Sequence, residues 1–173
     1  MFYKIFLEEM EMNDFYTEQL VKKKKGMKEM MLKVLLIVLS VLSVAVVFFI
    51  PFGIIIPVIV IAVTVLMFFK LDVEYEYLYV NGDLDIDKIM HKAKRKRIFS
   101  VNVNDVELLA PVNSGELRQY QQAKTYDYSS GVPSDRSYVL VTKEKGQLIK
   151  VLFEPNKVIV DGIFMMAPRK VIK

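Results

Sequence analysis

The chain has 173 residues, 24 lysines and arginines against 20 aspartates and glutamates, a formal net charge of +4, and no cysteine. Disulfides, thiolate nucleophiles and cysteine-held zinc are therefore excluded, and the length leaves room for one ordinary soluble domain beside a membrane segment. The 53 % hydrophobic content is concentrated in a single stretch, and outside it the composition is that of a charged soluble protein.

In chain order, Phe2–Gly26 reads as a short amphipathic leader helix, with Phe2, Ile5, Phe6, Phe15, Tyr16 and Leu20 at approximately helical spacing. It suits either an interfacial helix or a partly ordered tail. Met10 and Met12 are alternative starts to Met1, and Met12 opens the cleaner leader. The leader ends in a basic run, Lys22, Lys23, Lys24, Lys25, Lys28 and Lys33, so that residues 1–33 form a cytosolic leader.

From Val34 to Phe69 there is no charge at all. Pro51-Phe52-Gly53 divides the stretch into two helices, 34–50 and 54–69, each roughly 25 Å long at the helical rise. Leu32, the turn and Leu71 bring each close to a hydrocarbon core of about 30 Å. A helical hairpin buried in a soluble core rarely runs so long without a charge, and a re-entrant loop needs protein or water around its backbone at depth. The segment 34–71 is thus read as a transmembrane hairpin, with Pro57 tolerated in the first turn of its second helix. A cleaved signal peptide is not expected, because the run starts deep in the chain and no small-x-small pattern follows it. Lysines flank both outer ends, Lys70 included, and the turn carries none, which places both termini in the cytoplasm at the plasma membrane.

From Asp72 the period changes to two. Val73, Tyr75, Tyr77 and Tyr79 point one way and Glu74 and Glu76 the other. Asn81-Gly82 then signals a type I′ hairpin, pairing Tyr79 with Leu84, Tyr77 with Ile86 and Glu76 with Asp87. Further strands are expected at Ile98–Val103, Val106–Val112, Ser137–Lys143 and Gln147–Phe153. Gly115–Lys124 suits a short helix inside the polar stretch Asn113–Arg136, and Asn156 caps a final helix that ends before Pro168. Residues 72–173 therefore read as an α+β cytosolic domain, antiparallel and pleckstrin-homology-like (PH-like): a small or split barrel of six strands closed by a C-terminal helix.

Two stretches carry a family resemblance. One joins Glu74-Tyr75-Glu76-Tyr77, Asn81-Gly82-Asp83-Leu84-Asp85-Ile86-Asp87-Lys88-Ile89, the basic run and Val106-Glu107-Leu108-Leu109-Ala110-Pro111. The other joins Tyr126-Asp127-Tyr128-Ser129-Ser130-Gly131, Phe153-Glu154-Pro155-Asn156 and Ala167-Pro168-Arg169-Lys170-Val171. Together they resemble a family of small two-helix membrane proteins of Firmicutes, a domain of unknown function, from about Met12 to the end of the chain. A weaker similarity, in topology and in the preceding hairpin, is to bacterial PH-domain membrane proteins. A PH fold has seven strands, so the resemblance implies that one is missing or lies within Asn113–Arg136. It brings no activity with it.

Five fixed positive charges follow His91: Lys92, Lys94, Arg95, Lys96 and Arg97. They suit contact with anionic headgroups, each cation contributing about 1 kcal/mol near the surface. The alternatives are a solvated loop, or nucleic acid, for which no aromatic interleaving or reading motif is present. Asp83, Asp85 and Asp87 lack the spacing of a calcium loop and are ordinary acids on a strand's solvent face, so no metal is expected. His91 heads a cationic run with no nucleophile nearby, and no phosphate loop or hydrolase motif is present, so no catalytic residue and no cofactor are assigned. Tyr120, Tyr126 and Tyr128 form a candidate partner surface, with loop packing as the plainer account. The whole reads as a membrane-anchored, non-catalytic binding or scaffolding protein. Its expected partners are membrane lipid, another membrane protein or a second copy of itself, with no specific nucleic acid. The rivals are a structural subunit of a larger membrane complex and a membrane-surface enzyme.

Overall fold

The computed structural model describes residues 15–24, 26–50 and 53–173. In chain order the elements are β1 (Tyr16–Lys22), α1 (Met27–Ala45), α2 (Ile55–Leu71), β2 (Val73–Val80), β3 (Asp83–Met90), β4 (Lys94–Asn102), β5 (Val106–Pro111), β6 (Lys124–Asp127), β7 (Tyr138–Glu144), β8 (Gln147–Phe153) and α3 (Lys157–Met166). Two four-stranded sheets result, with orders β1-β2-β3-β4 and β5-β7-β8-β6.

The β2–β3 hairpin follows from its turn. Asn81 and Gly82 take φ of 47° and 96°, the left-handed conformation that a type I′ turn needs at both central positions. The register is Tyr79 to Leu84, Tyr77 to Ile86 and Glu76 to Asp87, as the alternation predicts. Tyr77, Tyr79, Leu84 and Ile86 are then buried against Leu109, Leu140, Val151 and Phe153 of the second sheet and Ile159 and Ile163 of α3. One core thus joins both sheets and the C-terminal helix, each large side chain in it contributing about 1.5–3 kcal/mol. Asn156 Oδ1 accepts from the Ile159 N–H at 2.9 Å, the expected N-cap.

The leader is corrected. Residues 16–22, expected in a helix, form a strand paired with β2 along its whole length, from Tyr16–Val80 to Lys22–Glu74. Without β1, β2 would be an edge strand with a row of unpaired backbone groups. Val21 enters the core, and Gln19 clamps the far side: its Nε2 donates to the Glu154 carbonyl at 2.8 Å and its Oε1 accepts from the Asn156 N–H at 2.6 Å. The part of the leader before Phe15 lies outside the described residues.

Eight strands are described where six were expected. The additions are β1 and β6, the second lying inside the polar stretch reserved for a seventh strand. β6 pairs parallel to β8, so the second sheet is mixed and not wholly antiparallel. The short helix expected at Gly115–Lys124 is a 3-10 segment, Gly115–Tyr120. The strand expected from Ile98 begins at Lys94, with a bulge where its pairing passes from Ile86 to Asp87 of β3.

The helices occupy the β1–β2 connection, so an apolar hairpin stands where two adjacent antiparallel strands would ordinarily be joined by a turn. The helical stretch Met27–Phe48, 22 residues, is long and apolar enough to cross a membrane. Ile55–Leu71 is apolar and shorter, at 17 residues. The two pack together, with Ser40 Oγ 3.0 Å from Thr64 Oγ1. Of the expected Pro51-Phe52-Gly53 turn, Gly53 lies within the described residues, and a Cβ there would stand 2.8 Å from the Ile50 carbonyl oxygen. Outward-facing Leu35, Val41, Leu42 and Ile55 remain at least 60 % exposed.

Candidate functional site

The sequence-predicted cations converge on the end of the domain from which the helices leave. β1 ends at Lys22 and α1 starts at Met27, while a single residue, Asp72, separates α2 from β2. The Lys23 N–H donates to the Val73 carbonyl at 3.1 Å and the Lys24 N–H to the Ser130 carbonyl at 2.8 Å, so this run is tied to the sheets. Lys22 Nζ lies 3.7 Å from Glu74 Oε1 and 4.0 Å from Asp72 Oδ1. Lys25 lies outside the described residues. Lys28 and Lys33 ride on the first turns of α1, with Lys33 Nζ 5.6 Å from the centre of the Phe68 ring, and Lys70 is in the last turn of α2.

The β3–β4 turn is seated on the same exit. His91 and Lys92 adopt left-handed φ of 50° and 54°, the His91 N–H donates to the Asp72 carbonyl at 2.9 Å, and the His91 and Phe69 rings lie 3.9 Å apart. Lys92 is therefore presented beside the end of α2.

Beyond the turn, β4 sorts the run by strand alternation. Arg95 and Arg97 share a face with the acids of β2 and β3. Arg95 Nη2 lies 2.7 Å from Glu76 and its Nε 3.9 Å from Asp87, while Arg97 reaches Asp85 at 2.8 Å and Asp87 at 3.5 Å. Glu76 and Asp87, directly opposite across β2 and β3, are only 4 % and 5 % exposed. Burial raises the Glu76 carboxyl above the usual carboxylate range, and Arg95 opposes that rise. Lys94 and Lys96 point to the other face, and among the described residues no carboxylate lies in ion-pair contact with Lys92, Lys94 or Lys96. The run that looks uniform in sequence is thus two arginines answering internal acids and three lysines available for external contact. Of the acids considered for a metal, Asp83 accepts from Asn102 Nδ2 at 2.6 Å, and Asp85 and Asp87 answer the arginines.

The tyrosines divide as well. Tyr126 and Tyr128 stack at 6.2 Å, and Tyr128 meets Tyr75 at 5.7 Å and Phe99 at 6.4 Å, all against the main core. Tyr120 belongs to a separate cluster on the outer face of the second sheet. Gln19 was not singled out in the sequence. Pairing of the strand acids with the adjacent Lys/Arg run was expected as one way to satisfy them, and Arg95 and Arg97 do so for Glu76, Asp85 and Asp87, of which Glu76 and Asp87 are buried and not on a solvent face.

Residues 13–173 match the family described as Bacterial PH-like domain (DUF6106). The chain belongs to this family. Comparison with curated proteins and with solved structures finds no match. The match spans both sheets, the helical hairpin and α3 alike, and PH-like domains generally bind or scaffold and do not catalyse.

Proposed function

We propose that this PH-like protein is a non-catalytic, membrane-anchored binding or scaffolding protein whose domain rests on the inner face of the plasma membrane. The observation that carries the reading is the seating of the His91–Ala93 turn on the end of α2, at 3.9 Å between the His91 and Phe69 rings, beside a one-residue connection to β2. Because β1 and β2 pair, the segments before α1 and after α2 lie on one side of any membrane the helices enter. The lysines on those segments and the absence of charge at the turn support the cytoplasm as that side. The hairpin 34–71 then crosses twice, and the exposed apolar side chains of α1 and α2 meet lipid instead of water. In this arrangement β1 is part of the soluble domain, and the leader proper precedes it. Lys92, Lys94 and Lys96, with Lys22, Lys23, Lys24, Lys28, Lys33 and Lys70 around the exit, face anionic headgroups. Attraction of this kind fades beyond a Debye length of about 8 Å, and so short a connection holds the Lys92 turn closest to the bilayer, with Lys94 and Lys96 farther along β4.

The test is co-purification of the full chain in mild detergent from mixed anionic and neutral bilayers. Anionic lipid should be enriched, and the triple substitution Lys92→Ser, Lys94→Ser, Lys96→Ser should remove the enrichment while the fold survives. Equal recovery of neutral and anionic lipid by the wild type would refute headgroup contact. A stoichiometric protein partner in place of lipid would assign the chain to a larger membrane complex.

A further inference from the structure

Outside the shared core, a smaller apolar cluster lies on the outer face of the second sheet. Leu108 and Ala110 of β5 and Val139 and Val141 of β7 are buried there under Leu117, Tyr120, Leu152 and Ile172. The 3-10 segment Gly115–Tyr120 is therefore a partial cover on that face. Beside it an open cleft of about 350 Å³ has an apolar floor of Leu117, Val139 and Leu152 and a rim that includes Arg118, Lys150 and Thr125. Among the described residues no carboxylate lines it. The nearest acid in sequence, Glu116, is engaged by the Ser114 hydroxyl. Among the described residues Arg118 and Lys150 have no ion pair, whereas Arg95, Arg97, Lys143 and Lys173 each lie on a carboxylate.

Two cations without a counter-charge above an apolar floor are complementary to a molecule with an apolar body and an anionic head. The volume falls in the usual range of small-ligand sites, about 300–1,000 Å³. We propose that this cleft binds a single-chain anionic amphiphile, its carboxylate or phosphate head at Arg118 and Lys150 and its chain on Leu117, Val139 and Leu152. The guanidinium fork of Arg118 matches either oxyanion with two parallel hydrogen bonds, and Lys150 supplies a second charge. The site is separate from the lysines at the helix exit and does not depend on headgroup contact there.

The full chain in phosphatidylcholine nanodiscs is photolabelled with three probes carrying the same diazirine alkyl chain: a fatty acid, an alkyl phosphate and a fatty alcohol. Peptides containing Leu117, Val139 or Leu152 should be labelled by one or both charged probes. Label should fall at least about tenfold in the Arg118→Gln, Lys150→Gln double variant, as expected for loss of charge-assisted bonds, and should return in Arg118→Lys with Lys150 intact. Peptides from α1 and α2, labelled from the bilayer, report that each variant is folded and inserted. Labelling by the fatty acid alone assigns a free carboxylate amphiphile, and by the phosphate alone a lysophospholipid-like head. The proposal is overturned if the alcohol labels the cleft as strongly as the charged probes, if the double variant keeps its label, or if no probe labels the cleft while α1 and α2 are labelled.

Discussion

The helical hairpin and the strand domain are both rich in large apolar residues, yet they use them in opposite ways. Tyr77, Leu84, Ile86 and Phe153 are sealed from solvent by other parts of the same chain. Leu35, Val41 and Ile55 point outward from helices that bury little except the Ser40–Thr64 seam. Apolar character alone therefore does not say where burial comes from: in the domain other parts of the chain supply it, and in the hairpin the described chain leaves these side chains open. The two regions are nevertheless joined at both ends of the hairpin, because it occupies the connection between paired strands.

That contrast is most sharply tested by truncation in each region. Tyr77→Ala removes a fully buried ring whose hydroxyl donates to the Tyr128 carbonyl at 2.6 Å, and should cost about 3–5 kcal/mol. Leu35→Ala on the outer face of α1 should leave domain stability unchanged. Urea unfolding of the full chain in nanodiscs, followed by near-ultraviolet circular dichroism, measures both. Equal losses would mean that the outer face of α1 is packed on protein.

A smaller effect separates the two halves of the basic run. Arg95→Ala strands the buried Glu76 carboxylate and should cost on the order of 1–3 kcal/mol near neutral pH, whereas Lys94→Ala should be close to neutral in stability. The pH dependence has a definite sign. A carboxyl raised in the fold favours the protonated form, so its contribution is fully present at acid pH and is lost as pH rises through its folded pKa. Removing Arg95 takes away the influence that opposes the rise, so the variant's deficit should widen from pH 4 to pH 7. A deficit that narrows over that range would show that Glu76 is not the stranded group.

Gly82→Val should cost about 1 kcal/mol or more, since a β-branched residue at φ 96° is strained and its Cβ would stand 2.7 Å from Met166 Sδ. Gly146, at φ 80° in the β7–β8 turn, meets nothing within 4 Å, so Gly146→Val carries the strain alone. Chemical denaturation of the pair isolates the contribution of contact with α3. The smallest loss expected is for Ser40→Ala, since Leu35→Ala and Lys94→Ala serve as near-neutral controls: it removes the hydrogen bond to Thr64 inside the hairpin, about 0.6 kcal/mol for such bonds in membranes. Its signature is a small drop in thermal stability of the hairpin with the domain transition unmoved.

Much of this was legible in the residues themselves. The uncharged run from Val34 to Phe69, the period-two tyrosines, the Asn81-Gly82 turn with its register and the Asn156 cap are all set by neighbours a few positions away, where backbone geometry and local hydrogen bonding decide. The site was legible only as charge: the lysines and arginines were visible, but not their division. Three features were decided by partners distant in sequence. The segment 16–22 became a strand because the edge of β2, far beyond the hairpin, offered it hydrogen bonds. β6 ran parallel to β8 because the polar stretch returns along that edge. Arg95 and Arg97 parted from Lys94 and Lys96 because β4 pairs with a strand whose outer face holds buried acids. Local spacing fixes which way a side chain alternates, but what it meets there depends on the sheet that the whole chain builds.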